Sequence, residues 1–142
     1  MTEEAPTMDR LFAGLMAGAA VGAVIVTAYL TVSTTITTSY LVVDMWQILF
    51  TVVVLFLVLA LAMSLLQAPL WTLMRALRLR DWVAASLAGG LTFGAPVGLF
   101  ALLGFDYSGA PFTAENAAMF VSWTGSGFVA GFVAWRVATF RV

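Results

Sequence analysis

The chain has 142 residues, of which 63% are hydrophobic and only 9% charged, with a formal net charge of −1. A soluble domain carries about 45–50% apolar and about 25% charged residues, so there are too few polar side chains here to coat a globule, and one small integral membrane domain remains. Cysteine and histidine are both absent, which excludes disulfides, thiol catalysis and histidine-ligated metal or haem. All six cations are arginine, and the near-neutral balance leaves no basic surface for nucleic acid.

Uncharged runs of about 20 residues mark bilayer crossings. The first is 11–32. Its leader sets Glu3, Glu4 and Asp9 against Arg10 alone, and the run exceeds the roughly 7–15 residues of a signal-peptide core, so it is expected to be a genuine span. The hydroxyl-rich stretch after it, Ser33–Ser39, is expected to be a polar linker, with a pore mouth lined by residues 31–39 as the alternative. The second span is placed at 41–66, around the apolar stretch Ile48–Leu66. Pro69 suits the first turn of a new helix. Leu70, Leu73, Met74 and Leu77 then oppose Thr72, Arg75 and Arg78, so residues 69–80 are expected to form a short interfacial amphipathic helix. The third span, 82–105, contains Pro96, where a kink is expected. After a loop over Asp106–Phe112, Thr113 is a candidate N-cap and Glu115 complements the dipole of the fourth span, 116–138. The expected fold is an all-α, four-helix polytopic membrane bundle forming a single domain over residues 1–142.

With four spans, Arg10, Arg75, Arg78, Arg80, Arg136 and Arg141 fall on one side, while Asp44, Asp106 and Glu115 fall on the other with no cation. The positive-inside rule then places both termini in the cytoplasm, and the expected setting is a bacterial inner membrane. Tyr40, Trp46, Tyr107 and Phe112 toward the outer end, and Trp71, Trp82 and Trp135 toward the inner, suit interfacial belts. Arg75, Arg78 and Arg80 would meet lipid headgroups.

The glycines are not scattered. Gly14, Gly18 and Gly22 form GxxxGxxxG on the first span, Gly90, Gly94 and Gly98 repeat it on the third, and Gly127 and Gly131 give GxxxG on the fourth. Residues four apart share a helix face, and removing their side chains lets a neighbouring backbone approach. The second span has no glycine between Leu41 and Leu66, so spans one, three and four are expected to pack tightly, leaving the second to lipid or a partner. Asp9, Ala13, Leu15, Gly18, Gly22 and Ala23 match Asp81, Ala85, Leu87, Gly90, Gly94 and Ala95 at an offset of 72. In so Ala/Gly-rich a chain, convergence on a packing motif is preferred to duplication of a hairpin.

Few residues carry chemistry. Asp44, Gln47 and Thr51 form a polar stripe on the second span, readable as an ion or proton site if Asp44 lies at depth. The preferred reading places Asp44 at headgroup level as a first-turn acid. Pro96 would expose backbone carbonyls only if the kink faced a substrate path. Ser122, Thr124 and Ser126 are expected to make interhelical hydrogen bonds, because nothing nearby offers a base. No enzyme activity, cofactor or metal is expected. The expected role is a non-catalytic structural or accessory subunit of a membrane assembly, packed through its glycine-lined helices with other membrane subunits or with copies of itself; the alternative is a small homo-oligomeric channel or transporter for an uncharged or weakly charged solute.

Overall fold

The computed structural model describes residues 7–38, 44–76, 80–102 and 113–139. Within them the chain is all-α. Helix α1 covers Met8–Thr38, α2 Met45–Ala62, a π turn Met63–Gln67, α3 Ala68–Ala76, α4 Asp81–Leu102 and α5 Ala114–Thr139. Four helical stretches among the described residues are long and apolar enough to cross a membrane, as the spacing of the uncharged runs predicts.

Two elements differ from expectation. The hydroxyl-rich stretch is not a linker where it is described: α1 runs on to Thr38. Thr31 donates to the Thr27 carbonyl (2.9 Å), Ser33 and Thr34 to Leu30 (3.0 and 2.7 Å), and Thr35 to Thr31 (2.8 Å). These hydroxyls fold back onto their own helix, as serine and threonine do in apolar surroundings, so a run that looks polar keeps its helical backbone satisfied.

The second difference is at Pro69. The helix does not stop before it. Instead α2 passes through the π turn into α3 without a break, and the Ala68 N–H bonds to the Met63 carbonyl, five residues back. A wider turn moves the carbonyl that the proline ring would strike, so Pro69 is accommodated inside a continuous helical run. The expected interfacial helix is therefore a continuation of α2. Its inward anchor is Trp71, 4% exposed, while Leu73, predicted on the apolar face, is 59% exposed. Trp71, flanked by Leu70 and Met74, packs on Ala84, Ala85 and Ala88 of α4 and Ala138 of α5. Arg80 is exposed at the entry to α4. Arg78, Leu77, the Asp106–Phe112 loop, Tyr40, Tyr107 and Arg141 lie outside the described residues, as does the Arg75 side chain.

The bundle is organised around α5, which packs along both α1 and α4, while α2 lies against α1. The π turn and α3 reach across to α4 near the end that carries the chain termini. Leu15, Ala19, Ala23, Leu59, Met63, Phe93, Ala130 and Ala134 form the central core. The most apolar window of α2 is only 17% buried, against 44% for α1 and for α4, so the glycine-free helix is the peripheral one.

Candidate functional site: small-residue seams and a hydroxyl-lined cavity

The predicted packing glycines are used within the chain. On α1, a Cβ at Gly18 would stand 2.6 Å from the Ala130 carbonyl oxygen, one at Gly14 would strike the Ala134 carbonyl, and one at Gly22 would stand 2.7 Å from the Phe93 ring. The α4 motif works differently. Gly90 receives the Phe128 ring, Gly94 the Thr124 side chain and Gly98 the Phe120 ring. The closest approach of α4 and α5 involves a glycine outside the predicted motif: Gly89 lies against the Gly127 carbonyl, Gly127 against that of Gly89, and Gly131 against that of Ala85. Thus Ala85 and Gly89 form the true small pair on α4, one residue out of phase with Gly90. Gly18 and Gly90, matched at the offset of 72, meet a backbone in one case and an aromatic ring in the other, so the packing does not repeat with the sequence.

Helix α5 serves two neighbours because it has two small faces. Gly127 and Gly131 meet α4, and Ala130, Ala134 and Ala138 meet α1. The second face was missed because alanine is common throughout the chain; its signal is the spacing of four, shared with the glycines. The hydroxyls of α5 do not bridge helices as expected. Ser126 donates to the Trp123 carbonyl of its own helix (2.7 Å), while Thr124 Oγ1 and Trp123 Nε1 are buried without a partner. Pro96 lies within an unbroken α4 and is exposed, facing away from the core.

At the end of the bundle remote from the termini, α1 and α2 part around a cavity of about 270 Å³. From α1 it is lined by Thr27, Leu30, Thr31, Thr34 and Thr35, and from α2 by Asp44, Gln47, Ile48 and Thr51. The predicted stripe of Asp44, Gln47 and Thr51 thus stands opposite the threonines, an arrangement that depends on α1 remaining helical through them. Asp44 is exposed and caps α2, its Oδ1 accepting from the Trp46 N–H at 3.0 Å. Thr51 donates to the Gln47 carbonyl at 2.8 Å. Thr27, which was not singled out from the sequence, is only 4% exposed, and its Oγ1 has no hydrogen-bond partner. A buried hydroxyl is usually satisfied, so this one is the exception on the wall. The other end of the bundle also holds unpartnered buried polar atoms: Gln67, in the π turn, is fully buried, with a long 3.5 Å bond from Nε2 to the Ala85 carbonyl and no partner for Oε1, and Trp71 Nε1 is likewise without one. Among the described residues no group of acidic side chains is arranged to hold a metal ion. At the α5 entry, the Asn116 N–H donates to Thr113 Oγ1 at 3.2 Å, the cap expected there.

Comparison with protein-family models, curated proteins and solved structures gives no match to this chain.

Proposed function

We propose that the protein is a non-catalytic integral membrane subunit with a structural or accessory role in a membrane assembly. The observation that supports it is the division of labour among the helices. The small-residue faces of α1, α4 and α5 are occupied inside the chain, so association through them would require unpacking the core. Helix α2 instead presents Leu49, Phe50, Val53, Val54, Leu57, Val58 and Leu61 outward, and its most apolar window is the least buried of the four spans among the described residues. A partner or a second copy would therefore meet α2. The chain's own topology supports inside termini: Arg10, Arg80 and Arg136 sit at the same end of the helices as the termini, and positive residues favour the cytoplasmic side. A bacterial inner membrane is the setting proposed.

Extraction in a mild detergent, followed by native mass measurement, tests the reading. A stoichiometric heteromeric partner, or a homo-oligomer lost on replacing Leu57 by Arg, is expected. A monodisperse monomer retained in native membranes would overturn it.

The cavity favours a second reading, a small homo-oligomeric channel or transporter for an uncharged or weakly charged solute. Beneath Thr27 and Thr51, however, the α1–α2 contact is filled by Ala23, Leu55, Phe56 and Leu59 of the core, which favours binding over passage through one chain. Solute flux in proteoliposomes that changes with Thr51→Val would support transport.

A further inference from the structure

We propose that the Met63–Gln67 π turn is a two-position joint, held in its present position by Pro69, whose second position turns α3 so that leucines replace Gln67 and Trp71 in the core. The inference goes beyond the accessory-subunit reading and does not depend on it. It begins with the phase of the helix. Each residue of an α-helix advances about 100°, and a π turn takes up one extra residue, so everything after it lags by that angle. The lag decides which side chains of α3 face α4 and α5. With it, Gln67 and Trp71 are buried, Met74 is half-buried, and Leu66 and Leu73 are 48% and 59% exposed. Without it, each place passes to the preceding residue: that of Gln67 to Leu66, that of Trp71 to Leu70, and that of Met74 to Leu73. Those three leucines continue the row of Leu59 and Met63 in the core at steps of three and four, the spacing of one face of an unbroken α-helix.

The segment thus encodes two faces, and the more polar one is turned inward. Its polar members are poorly served there. Gln67 Oε1 and Trp71 Nε1 are buried without partners, and the Gln67 Nε2 bond to the Ala85 carbonyl is long at 3.5 Å. Buried polar groups are usually satisfied, and the second position carries both side chains out of the core. Two things hold the present one. Trp71 fills the wall of Ala84, Ala85, Ala88 and Ala138 more fully than a leucine can. Pro69 has no N–H for the Leu65 carbonyl, and in an α turn its ring would strike that group. The wider bond from the Ala68 N–H to the Met63 carbonyl relieves that clash.

Aromatic packing and the proline therefore oppose the leucine row and the unpaired polar atoms, the kind of balance that makes a packed element bistable. Turning the joint exchanges the surface of α3 near the chain termini. Leu66 and Leu73 leave that surface, and Gln67 and Trp71 reach it. A membrane component with a preference for either surface would bias the joint by that preference.

The test uses the full chain, which has no cysteine of its own, in nanodiscs. Leu73→Cys and Met74→Cys are made separately, and their rates of labelling by a soluble maleimide are compared. The Leu73→Cys thiol is expected to label about tenfold faster, as the exposed member of the pair. Pro69→Ala, added to each, should reverse that order while a cooperative thermal transition is kept. In the chain that retains Pro69, Gln67→Met removes the unpaired oxygen from the present position and should slow labelling of the Met74→Cys thiol several-fold. An order unchanged by Pro69→Ala would overturn the proposal, as would loss of the thermal transition in that variant. So would a Met74→Cys rate indifferent to Gln67→Met, which marks fraying of α3 without any second register.

Discussion

At the residue scale, the decisive quantity is the space beyond each Cα. Gly89 and Gly125 are both helical glycines, yet a Cβ on Gly89 runs into the Gly127 carbonyl, while one on Gly125 meets nothing within 4 Å. Gly89→Ala should therefore destabilise the bundle by about 1–3 kcal/mol through overpacking. Gly125→Ala should leave it unchanged or stabilise it by about 0.5–1 kcal/mol through helix propensity. Parallel unfolding titrations of the two variants in mixed micelles provide the comparison, and an equal effect would show that the seam is looser than the contacts require. Gln67 poses the converse question. Its amide is fully buried, with the oxygen unsatisfied and the nitrogen on a long 3.5 Å bond to the Ala85 carbonyl, so an apolar side chain of similar volume removes the desolvation cost of the unpaired oxygen and loses only that weak bond. Gln67→Met is expected to hold or raise the thermal midpoint; a fall of several degrees would mean that the amide has a partner of its own.

At the element scale, the π turn and α3 give a short segment a structural role. Trp71→Ala should cost about 3–5 kcal/mol, as truncation of a buried aromatic does, whereas Leu73→Ala, on the exposed side, should change little. Thermal unfolding monitored by circular dichroism separates the two. What was legible in the sequence follows from this contrast. The existence of the spans could be read because length and apolarity suffice for it, and the core role of Gly14, Gly18, Gly22, Gly127 and Gly131 because the spacing of four is a property of one helix. Gly89 was not legible, since whether Gly89 or Gly90 faces α5 depends on the rotation of α4 about its axis. Nor was the helical state of Thr31, Thr34 and Thr35, because threonine hydroxyls that bond back to their helix look identical, in sequence, to those of a loop. Pro69 read as a boundary because a local rule about proline cannot anticipate the π turn before it.

At the scale of the whole molecule, orientation and assembly can be tested on a clean background, because the chain contains no cysteine. A membrane-impermeant maleimide should label Met45→Cys in intact cells, at a position 81% exposed at the start of α2, and should label Thr7→Cys only after permeabilisation. The reverse pattern would invert the proposed topology. Helix α5 holds the bundle together, yet it is made after α1, α2 and α4. While the ribosome is still synthesising residues before 113, Gly14 and Gly18 of α1 and Gly89 of α4 lack the α5 carbonyls they pack against, and those faces must wait in lipid. The bundle of α1, α2, α4 and α5 therefore cannot be completed one hairpin at a time, and its vulnerability to quality-control proteolysis during biogenesis should persist until α5 inserts between two helices already in place.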